Sequence, residues 1–138
     1  MVAANKFQDF VDQLGLKKHE LNADLLKVAL TNTAPVATNT ILANITQIAG
    51  TFGYTTGGED VTNTYVESAG TGTLDGTNIV WTASGGSIGP FQYCVLYNDT
   101  QTAPVDPLIL WWDNGSAITL ADGETFTFSI TTTLATIV

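Results

Sequence analysis

Two glycine-rich stretches hold the residues whose types and spacing come nearest to a catalytic pattern. Gly85-Gly86-Ser87-Ile88-Gly89 fits G-x-S-x-G. In a hydrolase that serine is a nucleophile on a sharp strand-to-helix turn, with a histidine later in the chain. Here Pro90 and an apolar run follow, and the sole histidine, His19, lies far upstream. Gly70-Thr71-Gly72-Thr73-Leu74-Asp75-Gly76 approaches a dinucleotide loop, but its third glycine is one residue late. A strand pattern follows it, so no helix N-terminus is available to hold a pyrophosphate. Neither stretch supports a catalytic residue or a cofactor.

Paired carboxylates hydrolyse glycosides, and nine carboxylates lie beyond Lys27. Asp99, Asp106, Asp113 and Asp122 all fall at predicted strand ends and turns, where aspartate stabilises the turn. No D-x-D-x-D-G run supports calcium. A metal site needs partners, and the chain has one His and one Cys, so His19 reads as an exposed turn residue and no metal is expected. The lone Cys94 excludes an internal disulfide and sits inside an apolar run, where a free thiol behaves as a small buried hydrophobe. Trp111-Trp112 is more informative. Neighbouring strand residues point to opposite faces, so one ring fills the core. The other must meet a loop, a neighbouring subunit or a ligand such as a sugar ring, with burial in a core or subunit contact the favoured reading.

The elements that carry these residues read as β-strands. Residues 91–97, 108–112, 117–120 and 124–130 are short apolar runs rich in aromatic and β-branched side chains. Asn98-Asp99, Asp113-Asn114-Gly115 and Asp122-Gly123 separate them as turns. In the last run Phe126, Phe128 and Ile130 share one face and Thr125, Thr127 and Ser129 the other. Residues 91–97 and 108–112 are apolar on both faces, so they are buried on both sides or meet another subunit. Residues 25–32 alternate at Leu26, Val28 and Leu30 and predict a strand; residues 40–48 suit a helical turn or a strand equally. Residues 49–90 hold ten glycines, two weaker strands at 61–67 and 78–83, and long loops at 55–60, 69–77 and 84–90. The tail 131–138 adds a strand or serves as a contact.

The one helix candidate is residues 5–14. Asn5 can cap it, Phe7, Phe10, Val11 and Leu14 form the apolar stripe, and Gly15 is placed to end it. The expected fold is therefore mainly β: an antiparallel, jelly-roll-like β-sandwich over 25–138, preceded by a short helical segment over 1–24, as one compact domain.

Composition narrows the partners. The 138 residues include 23 Thr and 13 Gly, which suit strands and turns. Net charge is −9, and the only cations are Lys6, Lys17, Lys18 and Lys27. Beyond Lys27 no basic face exists to neutralise phosphate, so neither nucleic acid nor an anionic membrane surface is an expected partner. Sheet edges are commonly guarded by Lys, and none follows Lys27, so oligomerisation or docking on a larger surface is one way to cover them. No basic-then-apolar leader and no run of 18 apolar residues is present, so synthesis as a soluble cytosolic protein is expected.

An ordered set of segments resembles a family of small structural proteins of tailed bacteriophages and prophages. These are Asn5-Lys6-Phe7, Leu26-Lys27-Val28-Ala29-Leu30-Thr31-Asn32-Thr33-Ala34-Pro35, Ala83 to Tyr93, Tyr97-Asn98-Asp99-Thr100, Pro107-Leu108-Ile109, Trp111-Trp112-Asp113-Asn114-Gly115-Ser116 and Leu120 to Phe126. Residues 49–77 depart most from that pattern. The resemblance implies a virion component, not an enzyme. The leading expectation is a capsid decoration (cement) protein that binds the outside of the head, as a homotrimer, and clamps major capsid subunits. Lys6, Phe7, Phe10, Lys17 and Lys18 are then candidates for contact with the shell or between protomers, and Trp111 and Trp112 for the subunit interface. The alternative is a tail or fibre component that binds host glycans through an exposed Trp and the Gly-rich loops. A carbohydrate-active enzyme ranks third, because no acid–base pair stands out.

Overall fold

The computed structural model describes residues 3–130 and 133–138. The chain is mainly β, with antiparallel sheets in a sandwich-like arrangement and one short helix, as its strand periodicity and turn residues lead one to expect. In chain order the elements are β1 (Asn5–Lys6), α1 (Asp9–Gly15), β2 (Leu26–Thr31), a single 3-10 turn (Leu42–Asn44), β3 (Glu59–Asp60), β4 (Thr64–Ser68), β5 (Thr71–Asp75), β6 (Ile79–Thr82), β7 (Ile88–Asn98), β8 (Leu108–Leu120), β9 (Thr125–Phe128) and β10 (Ala135–Ile137). A five-stranded sheet runs β1-β8-β7-β2-β3. The opposing layer is split into β10-β5-β4 and β6-β9.

The β7–β8 hairpin is the centre of the large sheet. Its alternation sorts side chains onto two faces. Val28, Leu30, Cys94, Leu96, Leu110 and Trp112 enter the main core, which Trp81, Ile79, Leu74 and Phe128 complete from the opposing layer. Ala29, Val95, Tyr97 and Leu108 face the other way into a second cluster, closed by Phe7, Leu42 and Ile45, with Trp111 packed against it. The strands that read as apolar on both faces are thus buried on both sides by the chain itself. Each large apolar side chain so buried contributes about 1.5–3 kcal/mol. Register steps from Leu96–Leu110 to Tyr97–Leu108, so Ile109 is an extra residue in β8, and it joins Leu110 in the main core.

Several expectations need correction. The helix does not begin at residue 5. Asn5 and Lys6 pair with Trp111 and Leu110 as β1, and α1 starts only at Asp9, because an extended entry lets Phe7 reach the second cluster. Phe10 fills the main core and Leu14 packs on it, but Val11 is exposed. Gly15 is the last helical residue, yet the left-handed terminating residue is Lys17, φ 63°. Lys18 N bonds Gln13 O at 2.9 Å and Lys17 N bonds Leu14 O at 3.2 Å, a Schellman closure with Lys where Gly is usual.

The predicted loop 69–77 contains β5, which forms a tight hairpin with β4 through Ala69 and Gly70, both at positive φ. Runs 108–112 and 117–120 belong to one strand. Asp113-Asn114-Gly115 makes a turn inside it: pairing jumps from Tyr93–Asp113 to Phe91–Ile118, leaving Asn114, Gly115, Ser116 and Ala117 as a bulge. Asp113 Oδ1 accepts from Gly115 N at 2.7 Å and from Gln92 Nε2 at 2.9 Å. Those bonds hold the Asp113 carboxyl below the usual range. The open segment 40–48 resolves as the 3-10 turn, and the tail adds β10 against β5, with residues 131–132 outside the described ones. No helix among the described residues is long and apolar enough to cross a membrane.

Candidate functional site

The N-terminal segment and β10 build a surface where lysine and exposed apolar area meet a groove. β1 is one edge strand of the large sheet and β10 one edge strand of the three-stranded one. Between them lies a groove of about 450 Å³, lined by Ala4 and Lys6, by Phe10, Val11 and Leu14 of α1, and by Leu110, Leu134, Ala135, Thr136 and Ile137. Its floor is core (Phe10, Leu110 and Leu134 are buried), and its rim is Lys6 and the exposed Val11. Leu16 and Lys17, both exposed, follow α1.

A buried polar network anchors this segment to the sheet. Asn98, at the end of β7, is fully buried. Its Nδ2 donates to Asp24 Oδ2 at 2.6 Å and to His19 Nδ1 at 3.1 Å. The same Asp24 oxygen accepts from Glu20 N at 2.8 Å. Asn63 Nδ2 ties down the backbone through Leu21 O at 2.7 Å and Asp24 O at 3.0 Å. His19 is therefore not an exposed turn residue; it is 7% exposed and its ring centroid lies 5.2 Å from that of Phe10. Because Nδ1 accepts, the proton sits on Nε2, which has no partner among the described residues. Burial pushes the His19 pKa down, against the opposing pull of Asp24 and then Asp9.

A second groove, about 530 Å³, lies over Cys94, Trp112, Asn114, Phe126, Thr127, Phe128 and Ser129. Cys94 forms its base, and burial pushes the thiol up to about 12, well away from a thiolate at neutral pH. The Trp112 ring stands edge-on to Phe128 with centroids 4.9 Å apart and is 3% exposed, so it offers no open platform. Trp111, on the other face, is half-buried with its centroid 4.5 Å from that of Phe7.

The proposed contact residues therefore separate. Lys6 and Lys17 are exposed and Lys18 half-buried, free to meet a partner; Phe7, Phe10 and Trp112 already fill interior positions, and Trp111 leaves only part of its ring open. Lys27 pairs with Asp99 at 3.2 Å. Several carboxylates serve their own turns: Asp60 accepts from Thr62 N, Asp75 from Gly76 N, Glu67 from Gly70 N and Glu124 from Ala121 N, while Asp122 reaches across to accept from Gly85 N in the loop before β7. The G-x-S-x-G segment runs directly into β7, with Ser87 exposed and no helix following. Among the described residues no group of three or more His, Cys, Asp or Glu is arranged to hold a metal ion. Comparison of the chain with family models, with curated proteins and with solved structures finds no match.

Proposed function

We propose that this protein is a virion structural protein of a tailed phage, a decoration protein that binds the outside of the assembled head and clamps neighbouring major capsid subunits. The observation that carries this reading is the flank between β1 and β10. There two free strand edges, an apolar groove and Lys6 lie together, with Lys17 and Lys18 just beyond α1. The rest of the chain is purely anionic among its charged side chains, with nine carboxylates and no cation beyond Lys27. A clamp must grip two neighbours at once, and a molecule with an apolar flank edged by Lys6 and an acidic remainder has two chemically different surfaces for that purpose. β4 adds a further free edge: it ends its sheet, Val66 is exposed, and Glu67 is its sole charge. A strand from a shell subunit can extend it. Assembly as a homotrimer on the shell would multiply each contact through effective concentration.

The test is co-sedimentation of the purified chain with heads that lack it, together with the heads' melting temperature. Saturable binding that raises the melting temperature is expected. Lys6→Glu, Lys17→Glu and Lys18→Glu combined should weaken binding at least tenfold, while the chain's own stability stays within about 1 kcal/mol, as for exposed sites. Heads that ignore the wild-type chain would overturn the proposal.

A further inference from the structure

One ring in this molecule is displayed where the others are buried or half-buried. Phe52 is 47% exposed, the most open aromatic side chain among the described residues. It lies in the loop between the 3-10 turn and β3, outside both grooves. Its backbone is left-handed, φ 57°, a conformation that suits Gly or Asn and is rare for a bulky side chain. Gly53 follows at φ 108°.

The surrounding chain holds that conformation firmly. Phe52 O accepts from Ser84 N at 2.9 Å. A Cβ on Gly53 would overlap the Thr82 carbonyl oxygen. Tyr54 Oη accepts from Leu30 N at 3.0 Å and donates to Gln47 Oε1 at 2.9 Å, and that oxygen also accepts from Gly57 N at 2.7 Å. Tyr97 Oη donates to Gly57 O at 2.6 Å. The loop is thus fixed to β2, β6 and β7. The ring itself rests on Gly86, where a Cβ would come within 2.6 Å of it. A residue with no side chain at 86 lets the ring lie flat, and Phe52 belongs to neither interior cluster. The surrounding bonds hold an uncommon backbone conformation at an exposed aromatic, the kind of local strain that tends to cluster at binding sites.

We propose that Phe52 is a preorganised anchor that inserts into an apolar socket on a protein partner, taken here as a subunit of the phage shell. The anatomy is that of an interface hot spot: one aromatic at the centre and small polar residues (Thr51, Thr55, Ser84, Ser87) near it in the two loops. The neighbouring carboxylate, Asp122, is engaged by Gly85 N at 2.9 Å, and no cation occurs beyond Lys27, so the socket's rim is neutral or basic. A glycan is the weaker fit, because sugar recognition uses planar amide and carboxylate groups around the ring, and these loops offer mainly hydroxyls.

The choice of shell rests on the function proposed above, and the experiment separates the two. Wild-type, Phe52→Ala and Phe52→Gly chains are melted alone and then titrated onto heads and tails that lack the protein, and onto a glycan array. Both variants should melt close to wild type, the Gly variant above the Ala variant, because only glycine relieves the left-handed backbone. Both should bind heads at least tenfold more weakly. Equal binding of wild type and Phe52→Ala to heads would overturn the anchor and leave the decoration role standing. Binding to tails alone, lost in Phe52→Ala, would keep the anchor and overturn the decoration role. Phe52-dependent glycan binding, a melting point lowered as for a core deletion, or no binding by wild type to either particle would overturn the anchor.

Discussion

His19 is the residue whose role depends most on its surroundings. Burial lowers its pKa, so the folded chain holds it neutral at a pH where the unfolded chain has begun to take up a proton. Where the unfolded state binds more protons, stability rises with pH. The contribution is therefore complete above about 6.5, the ordinary histidine value, and is lost as pH falls from there toward the lower folded-state value. Denaturant midpoints measured from pH 7.5 down to 5.5 should fall, and His19→Gln should flatten that slope, since the chain has no other histidine. Protonation at Nδ1 would also set it against the Asn98 N–H that it now accepts. Asn98→Ala removes the two N–H bonds that its Nδ2 makes, to Asp24 and to His19, and should cost about 3 kcal/mol by chemical denaturation. None of this was legible locally, because Asn98 stands 79 residues from His19 and looks in sequence like one half of an Asn-Asp turn. Cys94, by contrast, could be read from its apolar neighbours as a buried thiol, and it is one.

At the scale of elements, backbone geometry sets the sharpest expectations. Gly58 has φ 77°, and a Cβ there would overlap the Val28 carbonyl oxygen of β2. Gly58→Ala should destabilise the fold by more than about 2 kcal/mol, because the clash is with backbone and cannot be relieved by a rotamer. Lys17→Gly should act in the opposite sense, stabilising by about 1 kcal/mol, since Lys17 holds the left-handed position of the helix closure. Thermal melts of both variants check the signs. Strands with clean two-residue alternation, β2 and β9, could be read from the sequence. The weaker strand expected at 61–67 is β4, but β5 could not be read, because Gly72 and Asp75 weaken a strand pattern that pairing with two neighbours restores. β8 reads in sequence as two strands, because Asp113-Asn114-Gly115 is a strong turn signal that the fold accommodates as a bulge within one strand. The helix start is not legible in the sequence, because Phe7 fits a helical stripe as well as it fits an extended residue turned into the second cluster.

Over the whole molecule, the large sheet separates two apolar clusters, and Trp111 and Trp112 occupy one each. Trp112→Ala should cost about 3–5 kcal/mol and Trp111→Ala less, about 2 kcal/mol, because its ring is only half-buried. If the clusters unfold together, fluorescence and far-ultraviolet circular dichroism will give one coincident transition for each variant. The sandwich-like fold was legible because turn residues punctuate apolar runs at regular intervals. The candidate surfaces were less so. The groove between β1 and β10 joins the two ends of the chain, and Phe52 stands out only once every other aromatic is seen to be covered. The segregation of lysine toward the N-terminus has a practical consequence. Every side-chain amine lies within residues 1–27, and Lys27 is already engaged by Asp99. Amine-reactive dyes, cross-linkers or sensor surfaces will attach through that one segment and hold each immobilised copy by it, leaving the remaining surface, Phe52 included, chemically untouched for binding studies.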